Sequence, residues 1–238
     1  MKSPIAIIGA LDEEIQAYLE VMQEQTFVQW NAIRFYQGQL FGQEVVVVKS
    51  GVGKVFAAMV TQKLIDTFQP KAILFTGVAG GLNPNYAVGD IVVAHDCIQH
   101  DLNTTALGIP RGHVPYTSYR FFETDTQLKT LALAAKSEHT IHCGRIVTGD
   151  QFLTQKEMQQ YDYLTTELAG DAVEMEGAAV GFVCTVNEIP FLIIRTISDK
   201  ADAEASTSYV EFLPLVANNS VEMVAQIFSQ YSITRKSD

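Results

Sequence analysis

The sequence predicts an α/β protein in which helices cover both faces of a central, mixed and mainly parallel twisted sheet. Short apolar runs alternate with helical periodicity along most of the chain, as at 5–9, 72–76 and 190–197. These runs are apolar at consecutive positions and rich in β-branched residues, which is typical of strands buried on both faces. We therefore expect a three-layer α/β/α arrangement in a single domain spanning residues 1–238.

Composition restricts the function classes. A net charge of −11 with scattered basic residues argues against nucleic acid as a partner, because phosphate binding needs clustered Lys and Arg. No apolar run approaches the ~18 residues that cross a bilayer, so we expect no membrane association. Cys97, Cys143 and Cys184 have no zinc-site spacing, and we expect buried thiols in a cytoplasmic protein without metal or cofactor.

The first third of the chain predicts a strand, a helix, a meander of short strands and a second helix. The run 5–9 ends in glycine and leads into a helix with apolar residues at helical spacing. Gly38 and Gly42 mark turns of the meander, and the second helix ends before Pro70. The predicted strands are 5–9, 28–30, 33–37 and 44–48, with helices over 11–22 and from 50–54 onward.

The remaining chain continues the alternation around one long loop. A glycine turn over 77–81 follows the strand at 72–76. Residues 101–122 are rich in Gly, Pro and Thr without periodicity, and a structureless loop of this length usually has a function. The other predicted elements are strands at 90–99, 140–148, 172–174 and 190–197, and helices at 125–136, 155–168, 177–187 and near the C-terminus, ending near 229.

Ligands of such folds bind outside the carboxyl ends of the strands. Five predicted strand ends carry glycine or a polar residue: Gly9, Ser50-Gly51, Gly77, Gly149-Asp150 and Ser198-Asp199. We expect the binding site where these ends converge.

Three acidic residues follow predicted strand ends, and each has a simpler interpretation. Glu14 closes a triple acid in a first helical turn, where acids complement the helix dipole. Glu176 could decorate a helix start or grip vicinal sugar hydroxyls, and the sequence alone leaves both open. Asp199 could be a loop cap. Three carboxylates meeting at one edge would suit cleavage of a glycosidic bond, which needs an acid and a base on opposite faces of the sugar.

The segment Ser50-Gly-Val-Gly-Lys54 has some features of a phosphate loop. Val48 stands where a Walker loop needs its first glycine, and Val55 fills the Ser/Thr position. We interpret these glycines as serving tight turns and close backbone packing.

The chain resembles the bacterial 5′-methylthioadenosine/S-adenosylhomocysteine nucleosidases of the purine and uridine phosphorylase superfamily. The resemblance runs nearly end to end and implies the nucleoside phosphorylase-like fold. It rests on eight motifs in order: Ile8-Gly-Ala-Leu-Asp-Glu-Glu14, Ser50-Gly-Val-Gly-Lys54, Thr76-Gly-Val-Ala-Gly-Gly-Leu82, Val88-Gly-Asp-Ile-Val-Val93, His100-Asp101, Gly149-Asp150, Val173-Glu-Met-Glu176 and Arg195-Thr-Ile-Ser-Asp199.

The resemblance implies a role for each matching residue. Glu14 matches the base that activates water, and Asp199 the acid that protonates adenine at N7, with Ser198 orienting it. Glu176 takes the ribose hydroxyls, and Phe152 stacks on adenine. The other implied substrate contacts are Leu11, Val52, Val78, Ala79, Gly80, Leu153 (through its backbone), Glu174, Met175 and Tyr209.

The resemblance also implies a homodimer, in which the 101–122 loop reaches the partner's pocket for the 5′ substituent. Leu107, Ile109 and Pro115 stand at the matching places. Leu107 and Ile109 replace common aromatics, Tyr209 a common phenylalanine, and Val78 a common serine near the catalytic water. These departures concern the 5′ group and the water, so adenine recognition is the firmer expectation.

The leading hypothesis is a hydrolase that releases adenine from 5′-methylthioadenosine and S-adenosylhomocysteine. A purine nucleoside phosphorylase is disfavoured, because no arginine stands near the first two glycine turns and Glu14 would repel phosphate. A nucleosidase acting on aminodeoxyfutalosine stays open. A non-catalytic nucleoside-binding protein would have no need of both an acid and a base.

Overall fold

A computed structural model describes residues 3–154, 157, 160–199 and 205–231, except for the side chains of 205–217. The strands are β1 Ile5–Gly9, β2 Gln23–Trp30, β3 Ile33–Leu40, β4 Gln43–Lys49, β5 Ala72–Gly81, β6 Ile91–Gln99, β7 Phe122–Glu123, β8 Ile141–Thr148, β9 Ala172–Glu174 and β10 Phe191–Asp199. The helices are α1 Asp12–Val21, α2 Lys54–Phe68, α3 Thr126–Leu133, α4 Tyr163–Thr166, α5 Gly177–Val186 and α6 Ala205–Gln230, with a 3₁₀ turn at Thr105–Leu107.

The strands of the described residues form one mixed sheet in the order β10-β6-β8-β9-β5-β1-β4-β3-β2, with β7 beside β6. β1 lies parallel between β4 and β5, and an antiparallel meander of β2, β3 and β4 forms one edge. β10 pairs with β5 in parallel and with β6 antiparallel. Because β10 pairs with both β5 and β6, the strands β5, β9, β8, β6 and β10 form a closed ring. This closure brings the ends of β5, β8, β9 and β10 together.

Alternate residues of the strands pack against helices on opposite faces, which confirms the predicted α/β architecture. Ile5 and Ile7 of β1 face α1, α3 and α6. Ala6 and Ile8 face α2 and α5 on the other side. This two-sided burial explains why the central strands are apolar at every position. Within the described residues, no helix combines the length and apolar character that a bilayer crossing requires.

Two sets of glycines that we predicted in turns lie inside strands instead. A side chain on Gly38 in β3 would lie 2.5 Å from the backbone oxygen of Gln23. The glycines of 77–81 complete β5, and Gly80 and Gly81 pair with β9. Glycine inside a strand marks close approach of neighbouring groups as well as turns, and here close approach is the reason.

Two other predictions need correction. Cys97 and Cys184 are buried as predicted, but Cys143 is exposed. Of the helix predicted over 155–168, the described helical residues are Glu157 and the single turn α4, and residues 155, 156, 158 and 159 lie outside the described residues.

Candidate active site

A pocket of about 180 Å³ opens where the ends of β1, β5, β8, β9 and β10 meet. The predicted convergence of strand ends is therefore present. The pocket is lined by Ala10, Leu11, Glu14, Val52, Val78, Ala79, Gly80, Gln151, Phe152, Leu153, Val173, Glu174, Met175, Glu176, Arg195, Ser198 and Asp199.

Glu14 is buried at the start of α1 and is surrounded by backbone donors. One carboxylate oxygen accepts the N–H groups of Ala10 at 2.6 Å and Leu11 at 3.1 Å, and the other accepts that of Val78 at 3.1 Å. Burial raises the pKa of the Glu14 carboxyl, while Arg195 and these three N–H groups oppose the rise. Glu14 thus bonds to its own helix start, as the simpler interpretation required, and also faces the pocket.

Glu174 and Arg195 form a buried ion pair beneath the pocket. Nη2 of Arg195 lies 2.7 Å from Oε2 of Glu174, and both side chains are almost fully buried. The same oxygen accepts the N–H groups of Gly177 at 2.7 Å and Glu176 at 3.1 Å at the start of α5, and Thr148 donates its hydroxyl to the other oxygen. Glu174 therefore caps a helix and neutralises an arginine, which leaves little of its carboxylate for a ligand.

Glu176 is the buried N-cap residue of α5, and its carboxylate turns toward the glycine turn after β4. Its Oε1 accepts the N–H of Gly53 at 2.8 Å. Burial raises the pKa of the Glu176 carboxyl to about 8, and the nearby Glu174 carboxylate adds to the rise. Glu14 also raises this pKa, whereas Arg195 and the Gly53 N–H lower it. Burial is thus the main cause of the raised pKa of Glu176, and this carboxyl group lines the pocket.

Asp199 is the last residue of β10. The hydroxyl of Ser198 donates to Oδ2 of Asp199 at 2.7 Å, and both residues are buried. The pairing of β10 with β5 shifts register between Ile197 and Asp199. Such an irregularity re-aims a side chain, and Asp199 lines the pocket.

The mouth of the pocket is apolar. Phe152 and Val52 are about half exposed, while Leu153 beside Phe152 is buried. An exposed aromatic ring at the edge of a pocket can stack on a flat heterocycle. Among the described residues, no group of three or more His, Cys, Asp or Glu side chains is arranged to hold a metal ion.

Comparison with known proteins gives the family. A family model described as the phosphorylase superfamily matches residues 4–230. The 5′-methylthioadenosine/S-adenosylhomocysteine nucleosidase of Anoxybacillus flavithermus is 38% identical over 223 residues, which cover 92% of this chain and 95% of that protein. The chain belongs to this nucleosidase family within the phosphorylase superfamily.

Solved structures of the superfamily agree over nearly the whole length. The 5′-methylthioadenosine/S-adenosylhomocysteine nucleosidase of Neisseria meningitidis, in complex with methylthio-immucillin-A, matches with a TM-score of 0.90 and 36% identity, covering 96% of this chain and 100% of that one. The futalosine hydrolase of Helicobacter pylori matches with a TM-score of 0.88 and 34% identity, covering 95% of this chain and 97% of that one.

The residues that the nucleosidase motifs singled out are largely brought together. The pocket collects thirteen of them: Leu11, Glu14, Val52, Val78, Ala79, Gly80, Phe152, Leu153, Glu174, Met175, Glu176, Ser198 and Asp199. The side chain of Tyr209 lies outside the described residues. Leu107, Ile109 and Pro115 do not line the pocket of their own chain, and Leu107 is 68% exposed.

Four pocket residues of this nucleosidase were missed from the sequence: Ala10, Gln151, Val173 and Arg195. Three of them directly adjoin predicted site residues and could have been found from that adjacency. Arg195 opens a motif whose last two residues were selected, but its partner Glu174 is 21 positions away in sequence. Only the fold reveals that an arginine lies under the site and is already paired.

Proposed function

We propose that this protein hydrolyses the N-glycosidic bond of 5′-substituted adenosines and releases adenine and a 5′-substituted ribose. The observation that carries the proposal is the position of Glu14, Glu176 and Asp199 around one pocket. Two carboxyl groups and a hydroxyl-binding acid are the set that glycoside hydrolysis requires. The names of the relatives favour 5′-methylthioadenosine and S-adenosylhomocysteine as substrates.

Glu14 is the proposed base. Its ionised carboxylate takes a proton from a water molecule as that water attacks the anomeric carbon of the ribose. The three backbone N–H groups hold the carboxylate in one orientation and favour its charged form. The paired Arg195 adds positive potential. These contacts orient the base before the substrate arrives and limit the rise in its pKa that burial causes.

Asp199 is the proposed acid. Adenine is a poor leaving group as an anion, and a proton on N7 lets it depart neutral. Ser198 donates a hydrogen bond to one oxygen of Asp199, which restricts rotation of the carboxyl group. The acid thus comes from the end of β10 and the base from the first turn of α1, and both residues line the pocket.

Glu176 is the proposed ribose ligand. A carboxyl group can bond two vicinal hydroxyls, and these hydrogen bonds are stronger when the group is ionised. Phe152 would stack on the adenine ring, and the backbone of Leu153 would bond the edge of the base. Val52 and Leu11 supply apolar surface for the sugar and the 5′ substituent.

Hydrolysis is favoured over phosphorolysis by the state of the cations near the pocket. Among the described pocket residues Arg195 is the only cation, and it is bonded to Glu174. Glu14 presents a carboxyl group where the water would sit, which would repel phosphate.

We also propose a homodimer in which the 101–122 loop completes the partner's pocket. Several apolar side chains on and before α2 are exposed: Val52, Val55, Phe56 and Met59. The loop adds Leu107 and the 95% exposed Tyr116. Apolar surface of this kind marks an interface, and a second copy of the chain would bury it.

A cytoplasmic location is supported by three free cysteines.

A second candidate substrate is a futalosine-type nucleoside, since a futalosine hydrolase matches almost as well as the nucleosidase. The departures at Leu107, Ile109 and Tyr209 all concern the 5′ side, where these substrates differ.

The test is base release from a panel of nucleosides, followed by chromatography. The panel contains 5′-methylthioadenosine, S-adenosylhomocysteine, aminodeoxyfutalosine, adenosine and inosine. We expect adenine from the first two at the highest kcat/KM, and no base from inosine. A preference for aminodeoxyfutalosine would favour the second candidate, and tight binding without release of any base would refute both.

A further inference from the structure

A charged cluster outside the pocket joins three segments that surround it. Lys54 is the first residue of α2, and its ammonium group lies 2.6 Å from Oδ1 of Asp101 and 3.3 Å from the side-chain oxygen of Gln99. It also lies 3.8 Å from Oδ2 of Asp150. The N–H of Asp150 donates to the second oxygen of Asp101 at 2.9 Å. The two acids and the lysine therefore form a closed set of contacts.

The cluster is more than a surface ion pair. The Lys54 side chain is only 16% exposed, so its charge is poorly hydrated and depends on its partners. Burial would raise the pKa of the Asp101 carboxyl, but the Lys54 ammonium and the Asp150 N–H outweigh burial and hold this pKa below its usual value. A lysine at a helix start also opposes the helix dipole. The carboxylate of Asp150 offsets this cost by accepting the Lys54 N–H at 2.7 Å.

The same backbone turn holds Glu176. The N–H of Gly53 donates to Glu176, and the next N–H, that of Lys54, donates to Asp150. Gly51 and Gly53 both adopt positive φ, and two glycines give this turn more conformational freedom than other residues would, so contacts from outside the turn are needed to order it. The cluster provides such contacts on one side of the turn, and on the other side the Gly53 N–H binds the Glu176 carboxylate.

We propose that Lys54, with Asp101 and Asp150, is a positioning cluster that fixes the 51–54 turn so that Gly53 holds the carboxylate of Glu176 toward the ribose hydroxyls. Asp101 opens the 101–122 loop, and Asp150 stands two residues before Phe152. The cluster therefore also ties the loop and the base-stacking segment to the sugar site. The catalytic part of this inference rests on the proposed function, whereas the support of the turn does not.

The test compares three variants. Lys54→Met keeps the approximate length of the side chain but removes its charge, and it is compared with Lys54→Arg and Asp101→Asn. The matched control is Lys49→Met, which removes an ion pair of the same 2.6 Å length with Asp12, but one that is exposed. We expect kcat/KM for 5′-methylthioadenosine to fall by up to about 100-fold in Lys54→Met. The penalty for a 2′-deoxy substrate should shrink, since Glu176 would no longer be aligned. Lys54→Arg should restore part of both, and Lys49→Met should change neither.

Amide hydrogen exchange of residues 50–56 without substrate provides a readout that needs no activity. We expect faster exchange in Lys54→Met and Asp101→Asn than in the wild type or Lys49→Met. Unchanged exchange, or faster exchange with unchanged 2′-hydroxyl discrimination, would overturn the inference. A wild-type protein that releases no base from any nucleoside would refute the proposed function, while the exchange measurement would still decide whether the cluster supports the turn.

Discussion

Single residues in the pocket have roles that follow from their hydrogen-bond partners. Glu14, Glu174 and Glu176 line the pocket together with one guanidinium, that of Arg195, so carboxyl groups outnumber cations among the described pocket residues. Glu174 is bonded directly to Arg195, and the pKa values of the other two are raised by burial. The arrangement separates a structural carboxylate from two that face the ligand.

Replacing Asp199 tests the proposed acid. Asp199→Asn keeps the shape of the side chain and can still bond N7, but it cannot transfer a proton. We expect kcat for 5′-methylthioadenosine to fall by ~10²–10⁴-fold, the usual range for a general acid, while a non-hydrolysable nucleoside still binds. The control is Asp12→Asn at an exposed acid of α1. Near-normal turnover by Asp199→Asn would make Asp199 a loop cap only.

Replacing Glu176 tests its raised pKa. Because the folded-state pKa of about 8 exceeds the ordinary glutamate value of 4.5, the native state binds this proton more tightly than the unfolded state. The stability that Glu176 contributes is therefore full below about pH 4.5 and is lost as pH rises through about 8. In denaturant titrations at a series of pH values, Glu176→Gln should reduce the fall in the free energy of unfolding with rising pH, whereas Glu13→Gln at an exposed position should not. Glu176→Gln should also reduce the difference in kcat/KM between ribose substrates and their 2′-deoxy analogues. Parallel pH profiles for Glu176→Gln and the wild type would contradict the raised pKa.

The sequence motifs identified the acidic residues of the pocket but not their hydrogen-bond and ion-pair partners. Glu14, Glu176 and Asp199 were chosen because they follow strand ends in family motifs. The pairing of Glu174 with Arg195 joins two different strands, and no local pattern encodes it. The sequence therefore grouped Glu174 with the ligand-binding residues, whereas its hydrogen bonds are those of a helix cap.

Among the elements, β5 shows how backbone packing shapes the site. Gly77 lies against Glu14, and a side chain there would collide with Oε1 of Glu14 and lie 3.1 Å from Nη1 of Arg195. The sequence predicted a turn at the glycines of 77–81, because glycine is a strong turn signal. Their role inside a strand, close approach of neighbouring groups, depends on residues distant in sequence.

Gly77→Ala tests this close approach. The added methyl group should displace the Glu14 carboxylate and lower kcat/KM by about 100-fold, as expected for a shift of ~1 Å at a catalytic group. The matched control is Gly81→Ala in the same strand, where the nearest atom is Cγ2 of Ile197 at 3.2 Å. Circular dichroism should show that both variants fold. Equal, small losses in the two variants would mean that Gly77 does not position Glu14.

For the molecule as a whole, the closure of the sheet decides where the pocket lies. The sequence predicted the alternation of strands and helices from buried apolar runs. It did not predict that β10 pairs with both β5 and β6, because these contacts join segments about 100 residues apart or more. Closure brings the end of β9, and with it Glu174, against β5 and β8.

The proposed dimer can be tested on the exposed apolar surface. Val55 of α2 is 81% exposed, and a buried aspartate in its place would be costly at an interface. We expect Val55→Asp to shift the protein toward monomer in sedimentation velocity and to lower activity, since the partner's loop would be lost. Phe27→Asp, on the edge strand β2 and 53% exposed, is the control. A wild-type chain that is monomeric and fully active would refute the dimer.

The most direct test of the central claim is the identity of the sugar product when 5′-methylthioadenosine is turned over in buffers of increasing phosphate concentration. The paired state of Arg195 and the carboxylate of Glu14 predict attack by water. The product should be free 5-methylthioribose, formed at a rate independent of phosphate. A sugar 1-phosphate, or a rate that rises steeply with phosphate, would contradict the account.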